Sequence, residues 1–203
     1  MKTKILNFTE LSPDQLVLLA EDIKKGAILI CPTDTIYGLS ASAENPKAVK
    51  KIQNLKKRFK KKPFIFLISS LNKLKKIASV NKNALVLAKK FWPGPLTMVL
   101  KTKGKFKKMK TLALRVPSDK KLLLFLKKMD FPLLSTSANI SGNKPLMSDS
   151  AIIKTFDGRV DYILLSGAKG KKPSTIIDLT ENAPKLLREG SISSKKILDN
   201  LIF

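Results

Sequence analysis

Any chemistry in this sequence must be built from hydroxyls, amides, backbone N–H groups and cationic side chains. The 203-residue chain contains no His. That removes Ser–His–Asp triads, His general bases and His–Cys zinc sites in one step. It carries 40 Lys and Arg against 15 Asp and Glu, a net charge of +25. Only four of the cations are Arg: Arg58, Arg115, Arg159 and Arg188. Lys is a mobile point charge, whereas Arg is a rigid fork that grips phosphate or carboxylate with two bonds. In a chain that writes Lys by default, an Arg marks a place where the fork is wanted.

Three of the four arginines, Arg58, Arg115 and Arg188, fall in or near loops and strand ends that could hold a ligand. In CPTDTIYGLSASA (31–43), Thr33 and Thr35 follow an apolar run and could hold a small polar ligand with hydroxyls and freed amides. A capped turn explains the same residues equally well. In LKKRFKKKPFIFLIS (55–69), Arg58 sits in a loop of Lys; a solvated charge run accounts for Lys60–Lys62 but less well for Arg58. In TLALRVP (111–117), Arg115 interrupts a strand of Leu, Ala and Val. Arg is seldom buried unpaired, so it should face a carboxylate, internal or on a ligand, with a ligand favoured. PLLSTSANISG (132–142) gathers Ser135, Thr136, Ser137 and Asn139 at a strand end, which suits a phosphate or ribose. PSTIIDL (173–179) puts Ser174 at a strand start, and LLREGSI (186–192) puts Arg188 at a strand end before Gly190. KFWPGPLTMVL (90–100) reads as a rigid turn with Trp92 in the core.

Elements to carry these clusters are legible around them. Residues 12–26 form a helix: Ser12 caps it, Pro13 suits its first turn, Gln15 completes a capping box and Gly26 ends it. Leu16, Leu19, Ala20 and Ile23 give it an apolar face. Further helices are predicted over 46–57, 72–78, 83–92, 119–129, 149–156 and 193–202. Strands are predicted over 27–32, 63–69, 96–101, 112–116, 132–137, 162–167, 175–180 and 185–190. The Lys-rich stretch 101–110 is a hairpin-like connection. Helices and strands alternate irregularly, so the fold class is α/β or α+β with a mixed sheet. No dinucleotide or P-loop signature is present; in SGAKGKKPST the two Gly are three apart where five are required.

The length predicts one domain over 1–203, large enough to bury roughly 70% of its unfolded surface without disulfides or metal. No apolar run approaches the ~20 residues of a membrane span. The N-terminus lacks a signal-peptide core, and the single Cys, Cys31, fits a reducing cytoplasm. A charge of +25 usually points to a polyanionic partner. Here the Lys are spread over every predicted helix, so a chain-wide drift to Lys on solvated faces is the favoured explanation.

Taken in order, PTDTIYGL, KKRFKKKPFIFLI, FWPGPLT, LALRVP, STSANISG, STIIDL and LLREG resemble the YrdC/TsaC family, the threonylcarbamoyl-adenylate synthases. No single piece is specific; seven in order, from about Leu16 to Ile192, are. The resemblance implies a YrdC-like twisted mixed sheet with a large basic cavity, in the short single-domain form. It implies a nucleotidyltransferase that joins L-threonine, bicarbonate and ATP into threonylcarbamoyl-AMP and pyrophosphate. A downstream threonylcarbamoyl-transferase complex would pass the group to adenosine 37 of tRNAs reading ANN codons. By the same match Lys56, Arg58, Ser137 and Asn139 lie on ATP, with Lys56 and Arg58 catalytic, and Thr111 and Arg188 approach the nucleotide. Thr33, Thr35 and Arg115 bound the threonine and bicarbonate pocket. Mg²⁺ would arrive with ATP, without a dedicated protein site. The chain departs from the family at Leu67, where longer members carry His, and at Phe59 and Lys62.

Two rivals remain: a YrdC-like module that binds RNA or tRNA on its concave basic face, and a relative without synthase activity. Steep salt dependence would mark the first, through counterion release. The intact S-x-N and FWPGPLT stretches count against the second.

Overall fold

The computed structural model describes residues 2–56, 64–166 and 172–202. Ten strands and seven helices alternate along them. They are β1 (Lys4–Asn7), α1 (Pro13–Lys25), β2 (Leu29–Cys31), β3 (Gly38–Ser42), α2 (Pro46–Leu55), β4 (Ile65–Leu67), α3 (Leu71–Ile77) and α4 (Lys82–Phe91). Then come β5 (Leu96–Lys101), β6 (Thr111–Arg115), α5 (Lys120–Lys127), β7 (Leu133–Ser137), α6 (Asp149–Phe156), β8 (Tyr162–Leu165), β9 (Thr175–Asp178), β10 (Lys185–Arg188) and α7 (Ser194–Leu198). The strands form one mixed sheet in the order β1-β8-β2-β3-β7-β4-β6-β5-β9-β10.

Local chemistry sets the element ends. Ser12 accepts from the Gln15 amide while the Gln15 side chain accepts from the Ser12 amide, and Gly26 leaves α1 with φ 112°. Leu16, Leu19, Ala20 and Ile23 are buried as the periodicity requires; each Leu or Ile buried this way contributes about 1.5–3 kcal/mol. Asn45, Asn81 and Ser148 cap α2, α4 and α6, each side chain accepting from the amide three residues on.

Both faces of the sheet are covered, with strand neighbours facing opposite ways. Leu29 and Cys31 pack with α1 and α5, whereas Ile28 and Ile30 pack with α2 and α6. A third cluster sets α3, α4 and α7 on β5, β6 and β9. On the face shared with α1 and α5, cross-strand partners make one row over five strands: Val99, Ala113, Ile65, Ser135 and Ser40. Four of those five residues line a cavity of about 910 Å³.

Two strands were not visible in the sequence. β1 is short and lies at the sheet edge, parallel to β8. β3, Gly-Leu-Ser-Ala-Ser, is wholly buried between β2 and β7. Its residues have weak strand preference, and its place comes from close packing. A side chain at Gly38 would strike the Ser135 hydroxyl, so Gly lets β3 lie close against β7 there without displacing it. The 101–110 segment does connect β5 to an antiparallel β6.

Candidate functional site

The cavity lies where strand ends and their following loops converge. Its lining includes Thr33, Thr35, Lys56, Leu67, Arg115, Ser137, Asn139, Ser174 and Arg188. Three groups of side chains build it.

The first group surrounds Arg115, which ends β6 and is 3% exposed. Its Nε donates to the Gly94 carbonyl at 3.1 Å and one terminal nitrogen donates to Thr35 Oγ1 at 2.9 Å. The other terminal nitrogen forms an ion pair with Asp34, whose second oxygen accepts from Ser118 at 2.9 Å. Burial pushes the Arg115 pKa down, Asp34 opposes that, and the nearby charge of Arg188 adds to the depression. The carboxylate expected for Arg115 is therefore internal. This corrects the preference for a ligand carboxylate: a guanidinium this buried keeps a permanent counter-charge. The FWPGP turn takes part, because its Gly94 carbonyl caps the fork while its amide donates to Val116 at 2.8 Å.

The second group holds the end of β7. Lys56, just past α2, is 4% exposed. Its ammonium donates to the carbonyl and Oδ1 of Asn139 at 3.0 and 2.7 Å, and to the Ser137 carbonyl. An ammonium has three protons, and these acceptors absorb them. The Ser137 hydroxyl donates to Asn139 Oδ1 at 2.7 Å, and Asn139 Nδ2 donates to the Asn143 carbonyl. The 137–143 turn is thus tied to Lys56 through side chains and, by the Ser141 amide on the Lys56 carbonyl at 3.0 Å, through backbone.

The third group closes the far wall. Arg188 ends β10 and donates from Nε and a terminal nitrogen to the Ser174 carbonyl at 3.0 and 2.8 Å. The Ser174 hydroxyl also meets Thr97 Oγ1 at 2.8 Å. Gly190 folds onto this strand start; a side chain there would run into the Pro173 carbonyl and the Ser174 backbone. Thr175 Oγ1 accepts from the amides of Gly190 and Ile192 at 2.9 and 3.0 Å. The late LREG motif is therefore a clamp on the PST motif.

The Sua5/YciO/YrdC family model, with the description "Telomere recombination", matches residues 21–190. A Methanocaldococcus jannaschii protein is 38% identical over 97% of this chain and 98% of its own length. The threonylcarbamoyl-AMP synthase of Pyrococcus abyssi is 34% identical over 96% of this chain. The chain belongs to the Sua5/YciO/YrdC family. The P. abyssi Sua5 structure in complex with L-threonine superimposes with a TM-score of 0.89 over 98% of this chain. The chain spans 61% of the length of that Sua5 structure. E. coli YciO, 26% identical, gives 0.86 over 97% of this chain and 98% of its own.

Within this Sua5/YciO/YrdC fold, most of the sequence-predicted residues meet. Thr33, Thr35 and Arg115, then Lys56, Ser137 and Asn139, then Arg188 all line the one cavity. Thr111 is the exception among the described residues. It is exposed at the opposite end of β6 from Arg115 and outside the lining, though alternation puts it on the same face as Ala113 and Arg115. Four residue steps along the strand put it about 13 Å from Arg115. Arg58 and Lys60–Lys62 lie outside the described residues. Three contributors were not assigned from sequence. Asp34 and Ser118 act from behind the wall, and their pairing joins residues far apart in the chain. Ser174 reads from sequence as a strand start, but its neighbour Thr97 depends on β5 and β9 being parallel partners, and its contact with Arg188 on β9 and β10 being antiparallel ones. Leu67 is 2% exposed, opposite Arg115 across β4 and β6, and gives the cavity an apolar floor with Ile65 and Ala113.

Proposed function

We propose that this protein is an L-threonylcarbamoyladenylate synthase, a nucleotidyltransferase. It would form threonylcarbamoyl-AMP and pyrophosphate from L-threonine, bicarbonate and ATP for t6A modification of adenosine 37 in tRNA. The observation that carries the reading is the lining of the cavity. Arg115, Arg188 and Lys56 converge there with at least five hydroxyl-bearing side chains, and no carboxylate lines it among the described residues. Its volume, about 910 Å³, is at the upper end of small-molecule sites and suits a nucleotide together with an amino acid. Membership beside threonylcarbamoyl-AMP synthases, and a relative crystallised with L-threonine, support the same assignment.

The reaction sets one anion against another. The carboxylate oxygen of N-carboxythreonine attacks the α-phosphorus of ATP, and the bond to the bridging oxygen breaks to release pyrophosphate. Fixed cations near the developing charge lower that barrier. Arg188 and Arg58 are assigned to the phosphates. Ser137 and Asn139 would meet the nucleotide, held in register by Lys56, which on this reading acts through them. Thr111 would meet the nucleotide end farthest from Arg115. Arg115, Thr33 and Thr35 bound the threonine side. Among the described residues no group of three or more His, Cys, Asp or Glu could hold a metal. The donors facing the cavity are hydroxyls and amides. This fits Mg²⁺ carried on phosphate oxygens and water, where it would neutralise phosphate charge.

The test is pyrophosphate release from ATP that requires both threonine and bicarbonate, with mass detection of the adenylate. Arg58→Ala should abolish it. ATP turnover independent of threonine, or none with the purified protein, overturns the assignment.

A further inference from the structure

The two hydroxyls of the PTDT loop are joined in a chain whose direction the geometry fixes. Thr33 Oγ1 lies 2.8 Å from the Ile36 carbonyl. A carbonyl only accepts, so the single hydroxyl proton of Thr33 is committed there. Thr33 Oγ1 then accepts twice, from the Thr35 amide at 3.0 Å and from the Thr35 hydroxyl at 2.9 Å. Thr35 Oγ1 in turn accepts from Arg115 at 2.9 Å. The order is Arg115 to Thr35 to Thr33 to Ile36, all in a wall where Thr33 and Thr35 are 5% and 3% exposed. Each link polarises the next. One lone pair of Thr35 is left, and Thr35 lines the cavity.

We propose that Thr33 is a specificity-determining positioning residue: by taking the Thr35 proton it makes Thr35 an acceptor only, which selects an amino acid whose side-chain hydroxyl donates. This rests on the threonine-adenylating reading above. A methyl ether in place of the hydroxyl would set lone pair against lone pair. Removing the Thr33 hydroxyl frees the Thr35 proton to turn into the cavity, and Thr35 then accepts or donates as the ligand requires.

Two nearly isosteric pairs test this: threonine with valine, and O-methylthreonine with isoleucine. Competition against threonine-dependent pyrophosphate release gives an inhibition constant for each analogue. In the wild type, valine should bind about 10–100-fold more weakly than threonine, and O-methylthreonine should inhibit no better than isoleucine. In Thr33→Val, O-methylthreonine should become about tenfold better than isoleucine, while Thr33→Ser keeps the wild-type pattern. General damage lowers all four affinities and leaves the ratios alone. Equal inhibition by the ether and isoleucine in Thr33→Val, or none by either, overturns the proposal. So does a wild type that already prefers the ether. Thr35→Val gives an independent reading, because threonine should then lose its advantage over valine; if the advantage persists, Thr35 is not the acceptor. Failure of the wild type to release pyrophosphate with threonine refutes the reaction itself, a different result from a wrong ratio.

Discussion

Arg115 and Arg188 face the same cavity and are opposites. Arg115 is buried, paired with Asp34, and engaged at all three guanidinium nitrogens. Arg188 is exposed, and its bonds among the described residues go to the neutral carbonyl and hydroxyl of Ser174. The first brings geometry with its charge already balanced. The second brings charge with its direction set by a carbonyl. A site joining a small amino acid to a polyanionic nucleotide needs both: a rigid, nearly neutral end that reads shape, and an open cationic end that holds phosphate.

The strongest way to break this contrast is Arg115→Ala. It leaves Asp34 buried without its partner, so unfolding in denaturant should show a loss of about 3–5 kcal/mol, with turnover abolished. Arg188→Ala should behave differently. Its removal should weaken ATP by about 10–100-fold in KM, the range for a charged hydrogen bond, and leave the melting temperature nearly unchanged. A large stability loss there would mean that Arg188 is structural like Arg115. Gly190→Ala sharpens the same wall: its methyl would push on Pro173 and Ser174 and cost about 1–3 kcal/mol of overpacking, and ATP affinity should fall while threonine affinity holds. The smallest effect is spectroscopic. Both tyrosines of the chain are held protonated. Burial and the bond to Asp149 push Tyr37 well up, and burial with Asp22 pushes Tyr162 to about 12. Their contribution to stability is full below the usual tyrosine value near 10 and is lost as pH rises through the raised values. Phenolate absorbance in the native protein should lag that of the unfolded chain by more than one pH unit. Coincident curves would contradict the bonds of the two tyrosines to Asp149 and Asp22.

Much of this was legible in the residues. The helix over 13–25 was written in Ser12, Gln15 and Gly26, and the buried strands in unbroken apolar runs. The site was legible as types: scarce Arg, and hydroxyls gathered at strand ends. Partnership was not. Nothing local says that Asp34 meets Arg115, or that Gly190 closes on Ser174, because those contacts depend on sheet order. β3 escaped for a related reason, since Gly38, Ser40 and Ser42 look like loop residues until β7 requires their small size. Lys56 reads as one cation in a run, and only the fold shows its ammonium enclosed by Ser137 and Asn139.

The sheet order has a consequence for the time at which the site comes into being. Thr33 and Arg188 share a cavity although they stand at positions 33 and 188, and the wall bearing Arg188 is a hairpin added at the rim beyond β5. Contacts so remote in sequence close slowly. The pairing of central β3 with β7 spans an even longer stretch of chain than that of β5 with β9, so nucleotide affinity should return in refolding only together with the central sheet, not ahead of it.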